Sequence, residues 1–114
     1  MQPEINVWLF DIQTAIDNIE EYMASVPEGF SHYKNNKMLK QAIERNLEII
    51  GEATNRIMKS GLAVTITHAR QVINLRNRII HSYDSIQDDI VYAIVMRHLP
   101  LLKVEIEGLM KQGE

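Results

Sequence analysis

Arg76, His81 and Tyr83 fall within eight residues, in the stretch Asn74-Leu75-Arg76-Asn77-Arg78-Ile79-Ile80-His81-Ser82-Tyr83. Arginine is a permanent cation whose planar fork matches phosphate oxygens. Histidine titrates near neutral pH and can take or give a proton. A tyrosine hydroxyl donates or accepts a hydrogen bond and can be modified. Together they suit phosphodiester cleavage without a metal. His81 would take the proton of a ribose 2′-hydroxyl, and Arg76 would stabilise charge on the pentacoordinate phosphorus. Asn77 and Arg78 are candidates for supporting contacts to RNA. Each residue also has a plainer reading: Arg76 paired with an acidic helix, Tyr83 in the core, and His81 at a helix end favoured by the local carbonyls.

Spacing limits how these groups meet. A helix turns about 100° per residue, so Arg76 and Tyr83 share a face, while His81 is rotated by about 140° from Arg76 and lies near Asn77. One straight helix therefore does not unite Arg76 and His81. Either the helix ends near His81, or a second copy completes the site across a two-fold axis.

Helices supply the scaffold. Apolar residues from Ile5 through Trp8, Leu9, Ile12, Ile16 and Ile19 to Val26 follow the three-and-four spacing of one helix face, closed by Pro27-Glu28-Gly29. The pattern returns over 38–58 and closes at Ser60-Gly61. A third helix, capped by Thr65 or Thr67, carries Val72, Ile73, Ile79, Ile80 and Tyr83 on its apolar stripe. A fourth starts among Asp84, Ser85 and Gln87-Asp88 and reaches Pro100, which kinks or breaks it before a last helical piece over 101–110. No stretch alternates with period two for long, and no hairpin dipeptide occurs. The expected fold is all-α: a single domain over 1–114, built as an antiparallel four- to five-helix bundle with a kinked C-terminal helix.

The 114 residues are 46% hydrophobic and 24% charged, an ordinary globular composition rather than a disordered or fibrous one. The absence of cysteine excludes a disulfide framework, a thiol nucleophile and cysteine-ligated metal. No apolar run approaches the ~18 residues that span a membrane. The N-terminus shows no basic leader or signal-type apolar stretch, so a cytoplasmic protein without a membrane partner is expected. The net charge of −3 is segregated: −6 over residues 1–29, +6 over 30–81 and −3 over 82–114. Oppositely charged helices packed side by side explain this, and so does a basic middle that receives a polyanion.

Glu44, Glu48 and Glu52 share one helix face, but no Glu-x-x-His set of a di-iron bundle accompanies them. Glu48 and Glu52, next to Arg45 and Arg56, read as surface ion pairs one turn apart on the helix. His32, His68 and His98 are scattered and read as surface or helix-end residues. No phosphate-cradling glycine loop is present, and neither metal nor cofactor is expected. Gly51 within the second helix costs about 1 kcal/mol against alanine, which points to a close helix–helix approach.

The Arg-x4-His-x-Tyr pattern of Arg76, His81 and Tyr83 resembles the signature of the HEPN superfamily, and the chain is most similar to its HepT-like branch. Arg45-Asn46-Leu47-Glu48-Ile49-Ile50-Gly51-Glu52-Ala53 and Asp11-Ile12-Gln13-Thr14-Ala15-Ile16 resemble two further stretches of that branch. The resemblance runs from about Trp8 to Leu109. It implies an all-α homodimer acting as a metal-independent ribonuclease toxin, with a nucleotidyltransferase antitoxin as partner and RNA as substrate. It implies Arg76 and His81 as catalytic residues at the dimer cleft, Asn77 as the polar residue after the arginine, and Tyr83 as the acceptor of AMP from the antitoxin. It also sets Glu52 near the cleft, orienting a motif residue. Thr65-Ile66-Thr67-His68 departs from the Pro-Trp pair that many members carry ahead of the third helix. A different class of function stays open beside this one: a non-catalytic helical module that docks a nucleotidyltransferase or binds RNA or nucleotide.

Overall fold

The computed structural model describes residues 3–61, 66–81 and 88–112. Helices α1 (Pro3–Ala24), α2 (Phe30–Lys34), α3 (Lys37–Lys59) and α4 (Ala69–His81) are followed by α5 (Asp88–Ala93), a π-helical turn (Ile94–His98) and α6 (Leu99–Gln112). Among the described residues every regular element is helical, as the periodicity requires.

α1 and α3 form the centre. Ile5, Leu9, Ile12, Ile16 and Ile19 of α1 are each no more than 1% exposed. They pack on α3, whose Ile43, Ile50 and Ile57 are fully buried. The two helices run antiparallel: Asn18 faces Asn46, and Trp8 lies beside Ile49 and Ala53. The buried Asn46 donates from Nδ2 to the Ala42 carbonyl at 2.8 Å and accepts from Asn18 at 3.3 Å, so this polar pair between the helices is satisfied.

α3 begins where Asn36 accepts from the Leu39 N–H at 3.0 Å, an N-cap. It ends at Ser60, followed by Gly61 at φ +76°, as the Ser-Gly punctuation indicated. Its buried face is broad. Asn46 and Ala53 lie on the α1 edge, and Leu47, Gly51 and Thr54 on the opposite edge, towards α4, the other helix packed along α3. Thr54 turns its hydroxyl back to the Ile50 and Gly51 carbonyls, at 2.8 and 3.1 Å, so this edge stays free of unpaired polar atoms. Gly51 and Thr54 keep it thin.

Two elements depart from the sequence expectation. α2 fills a stretch left without a helix, because five residues are too few to show periodicity. It packs through Tyr33 and Phe30, whose rings lie 5.7 and 5.5 Å from Tyr92. Pro100 does not break the C-terminal helix. Helical backbone continues from Asp88 to Gln112, and the ladder widens just before the proline, where the Leu99 N–H reaches the Ile94 carbonyl. A π turn shifts the bonding by one residue, which accommodates a position lacking an N–H. The expected starts at Asp84, Ser85 and Gln87 lie outside the described residues. Among those described, no helix is long and apolar enough to cross a membrane.

Leu47 is fully buried and Met38 is 83% exposed. Leu47→Ala should cost about 2–5 kcal/mol and Met38→Ala within about 0.5 kcal/mol, measured by urea denaturation.

Candidate active site

α4 carries Arg76 and His81 of the motif, and its register assigns the two positions to stripes. Val72 and Leu75, 0% and 2% exposed, anchor the helix on α3. Arg70, Asn74 and Asn77 are exposed and recur at four and three residues, and position 81 continues that polar stripe. Position 76 falls on another stripe, in line with the half-buried Ile73. α4 is helical from 76 through 81, so these two positions are about 140° apart on one cylinder. The structure therefore places Arg76, Asn77, Arg78 and His81 on one element and does not bring Arg76 and His81 to one face. The side chains of Arg76, Arg78 and His81, and all of Tyr83, lie outside the described residues.

The start of α4 is held from the far end of the chain. The Glu105 carboxylate of α6 accepts from the backbone N–H groups of Thr67 at 2.7 Å and His68 at 3.2 Å. An anion there satisfies orphan donors and complements the positive end of the helix dipole. Of the two expected capping threonines, Thr65 lies outside the described residues, and Thr67 is bonded here through its own backbone N–H. The anchor found is an acid 38 residues away, which no local signature could announce. Beside it Ile66 is 4% exposed, pinning the connection to the core.

Two of the α3 carboxylates, Glu48 and Glu52, make surface pairs. Arg45 meets Glu48 at 3.3 Å and Arg56 meets Glu52 at 2.7 Å, all at exposed or half-exposed side chains. Glu52 lies beside Trp8, Asp11 and Ala53, towards α1, and the motif side chains it was expected to orient lie outside the described residues. Its partner is Arg56, one turn along its own helix. Among the described residues no group of three or more acidic or histidine side chains could hold a metal ion.

A second polar cluster ties α2, α3 and α5. Lys40 bonds Asp88 at 3.3 Å. Burial, and then the nearby Asp88 charge, push the Glu44 carboxyl above the usual carboxylate range. The Tyr33 hydroxyl is buried without a partner among the described residues, and burial raises it far above an ordinary tyrosine. His98, in the π turn, likewise has a buried Nδ1 without a partner among them. Nothing in the spacing of Tyr33 or His98 signalled this, because burial of a ring edge depends on neighbours distant in sequence.

Known proteins decide what this helix belongs to. The family model described as "Ribonuclease HepT-like" matches residues 12–109. The chain belongs to the HepT-like ribonuclease family. Among the family's proteins, a probable ribonuclease HepT of Thermococcus cleftensis is 32% identical over 106 residues, 91% of this chain and 94% of that protein. A Methanocaldococcus jannaschii protein provisionally named an RNase is 29% identical over 106 residues, with the same shares. A second from that organism, named in the same way, is 28% identical over 113 residues, 97% of this chain and 95% of its own length. No solved structure matches the chain. The HepT-like match spans α4 and the helices that hold it.

Glu105→Ala should remove about 1 kcal/mol of stability, read by denaturation, and increase amide exchange at the start of α4. The raised Glu44 pKa favours the folded state when the group is protonated. That contribution is full below the ordinary glutamate range and is lost as pH rises through the folded value. Glu44→Gln should therefore be more stable than wild type at about pH 7, with the difference vanishing near about pH 4 in thermal melts.

Proposed function

We propose that this member of the HepT-like ribonuclease family is a metal-independent endoribonuclease, with Arg76 and His81 as its catalytic residues and Asn77 and Arg78 as supporting RNA contacts. What carries the reading is the family match over residues 12–109, which includes a helix bearing Arg76, Asn77, Arg78 and His81 in unbroken register. His81 accepts the proton of the ribose 2′-hydroxyl. The freed O2′ attacks the adjacent phosphorus, the 5′-oxygen leaves with a proton, and the product ends are a 2′,3′-cyclic phosphate and a 5′-hydroxyl. Arg76 neutralises charge as it builds on the phosphoryl oxygens.

Because positions 76 and 81 point about 140° apart, the working site is composite: Arg76 of one copy and His81 of the other, across a two-fold axis. The same module acts as the toxin of a toxin–antitoxin pair in the cytoplasm. Its nucleotidyltransferase antitoxin transfers AMP to the Tyr83 hydroxyl, which attacks the α-phosphorus of ATP and releases pyrophosphate. The added bulk and negative charge oppose RNA phosphate and silence the cleft.

Purified wild type should cut total RNA in excess chelator and leave cyclic phosphate ends. Arg76→Ala and His81→Ala should each lose at least about 100-fold in rate. Tyr83→Phe should still cut RNA and resist AMP transfer, followed by intact mass. Failure of an unmodified, dimeric wild type to cut would leave a non-catalytic docking module instead.

A further inference from the structure

A groove of about 470 Å³ lies between the C-terminal half of α1 and the π turn with the start of α6. Ile16, Ile19 and Met23 form one wall, and Val95, Met96 and Leu99 the other. Met96 is 51% exposed, so the groove opens to solvent through a flexible, polarisable side chain of the kind suited to a re-packing contact. An apolar groove of this size on an exposed helix pair is the shape that accepts an amphipathic helix.

The charge around it selects the occupant. Lys103 on the rim is bonded by Glu20 at 2.8 Å, and the charges of Glu107 and Asp17 also bear on it. One carboxylate thus pairs with the lysine directly, and two more act on it through their charge. α1 adds no compensating cation, because residues 1–29 contain neither lysine nor arginine. RNA and anionic membranes are repelled by such a rim. A second copy seated by two-fold symmetry would set acidic rim against acidic rim.

We propose that this groove docks a cationic amphipathic helix of a separate protein, with its apolar face between Met23 and Met96 and its lysines or arginines against Asp17, Glu20 and Glu107. The site uses no residue of α4, and it does not rest on the ribonuclease reading above.

The test uses the full chain and a labelled helical peptide of roughly 18 leucines and lysines, with leucines at three-and-four spacing, read by fluorescence anisotropy. A peptide with glutamate in place of lysine is the control. The lysine peptide should bind, the glutamate peptide at least about tenfold more weakly, and binding should weaken with salt. Met96→Asp should reduce affinity for the lysine peptide at least about tenfold with the helical circular dichroism unchanged. Asp17→Asn, at an exposed position, should weaken binding and flatten its salt dependence. The proposal is overturned if the lysine peptide does not bind, if the two peptides bind alike, or if Met96→Asp binds like wild type. It is overturned too if Met96→Asp turns a dimer into monomers, for then a second copy covers the groove.

Discussion

Everything in this bundle hangs on the breadth of the buried face of α3. A helix that buried only a narrow stripe could hold one neighbour. α3 buries positions from Leu39 to Ile57 over two edges, and so holds α1 on one side and α4 on the other. The α1 side is set by isoleucines and by the Asn18–Asn46 pair, which fixes the register of two otherwise smooth apolar surfaces. The α4 side is set by what is small or self-satisfied, Gly51 and Thr54, and this lets a helix with only a modest apolar stripe lie against it.

That constraint explains how α4 can be rich in charge and still be part of the fold. Val72 and Leu75 hold one face, leaving Arg70, Asn74 and Asn77 on the surface. Glu105 fixes the start of the helix from α6. A helix that sets positions 76 and 81 about 140° apart is a poor single-chain active site for that pair. The proposed composite site answers this by taking one position from each of two copies related by a two-fold axis.

Much of this was legible in the sequence. The faces of α1 and α3 follow from apolar spacing, and the Arg45–Glu48 and Arg56–Glu52 pairs from charge spacing on one helix. The motif on α4 was readable because its residues are close in sequence. What escaped was carried by distance or by shortness. α2 is five residues long, and its reason for being helical is Tyr33 meeting Tyr92. The Glu105 anchor joins residues more than thirty apart. Pro100 reads locally as a kink or a break, and of the two the break is avoided by a π turn. The acidic α1 lies along α3, in the basic middle of the chain, and its Glu20 in addition pairs with Lys103 of α6.

The composite site is tested most directly by mixing two inactive proteins. Arg76→Ala and His81→Ala chains would be unfolded together, refolded to allow exchange of copies, and assayed for RNA cleavage in chelator. If each site takes Arg76 from one copy and His81 from the other, a mixed dimer holds one intact site, and the mixture should recover about a quarter of wild-type activity. If cleavage stays at the level of the separate variants although mixed dimers have formed, both residues act within one chain, and the two-copy site is wrong.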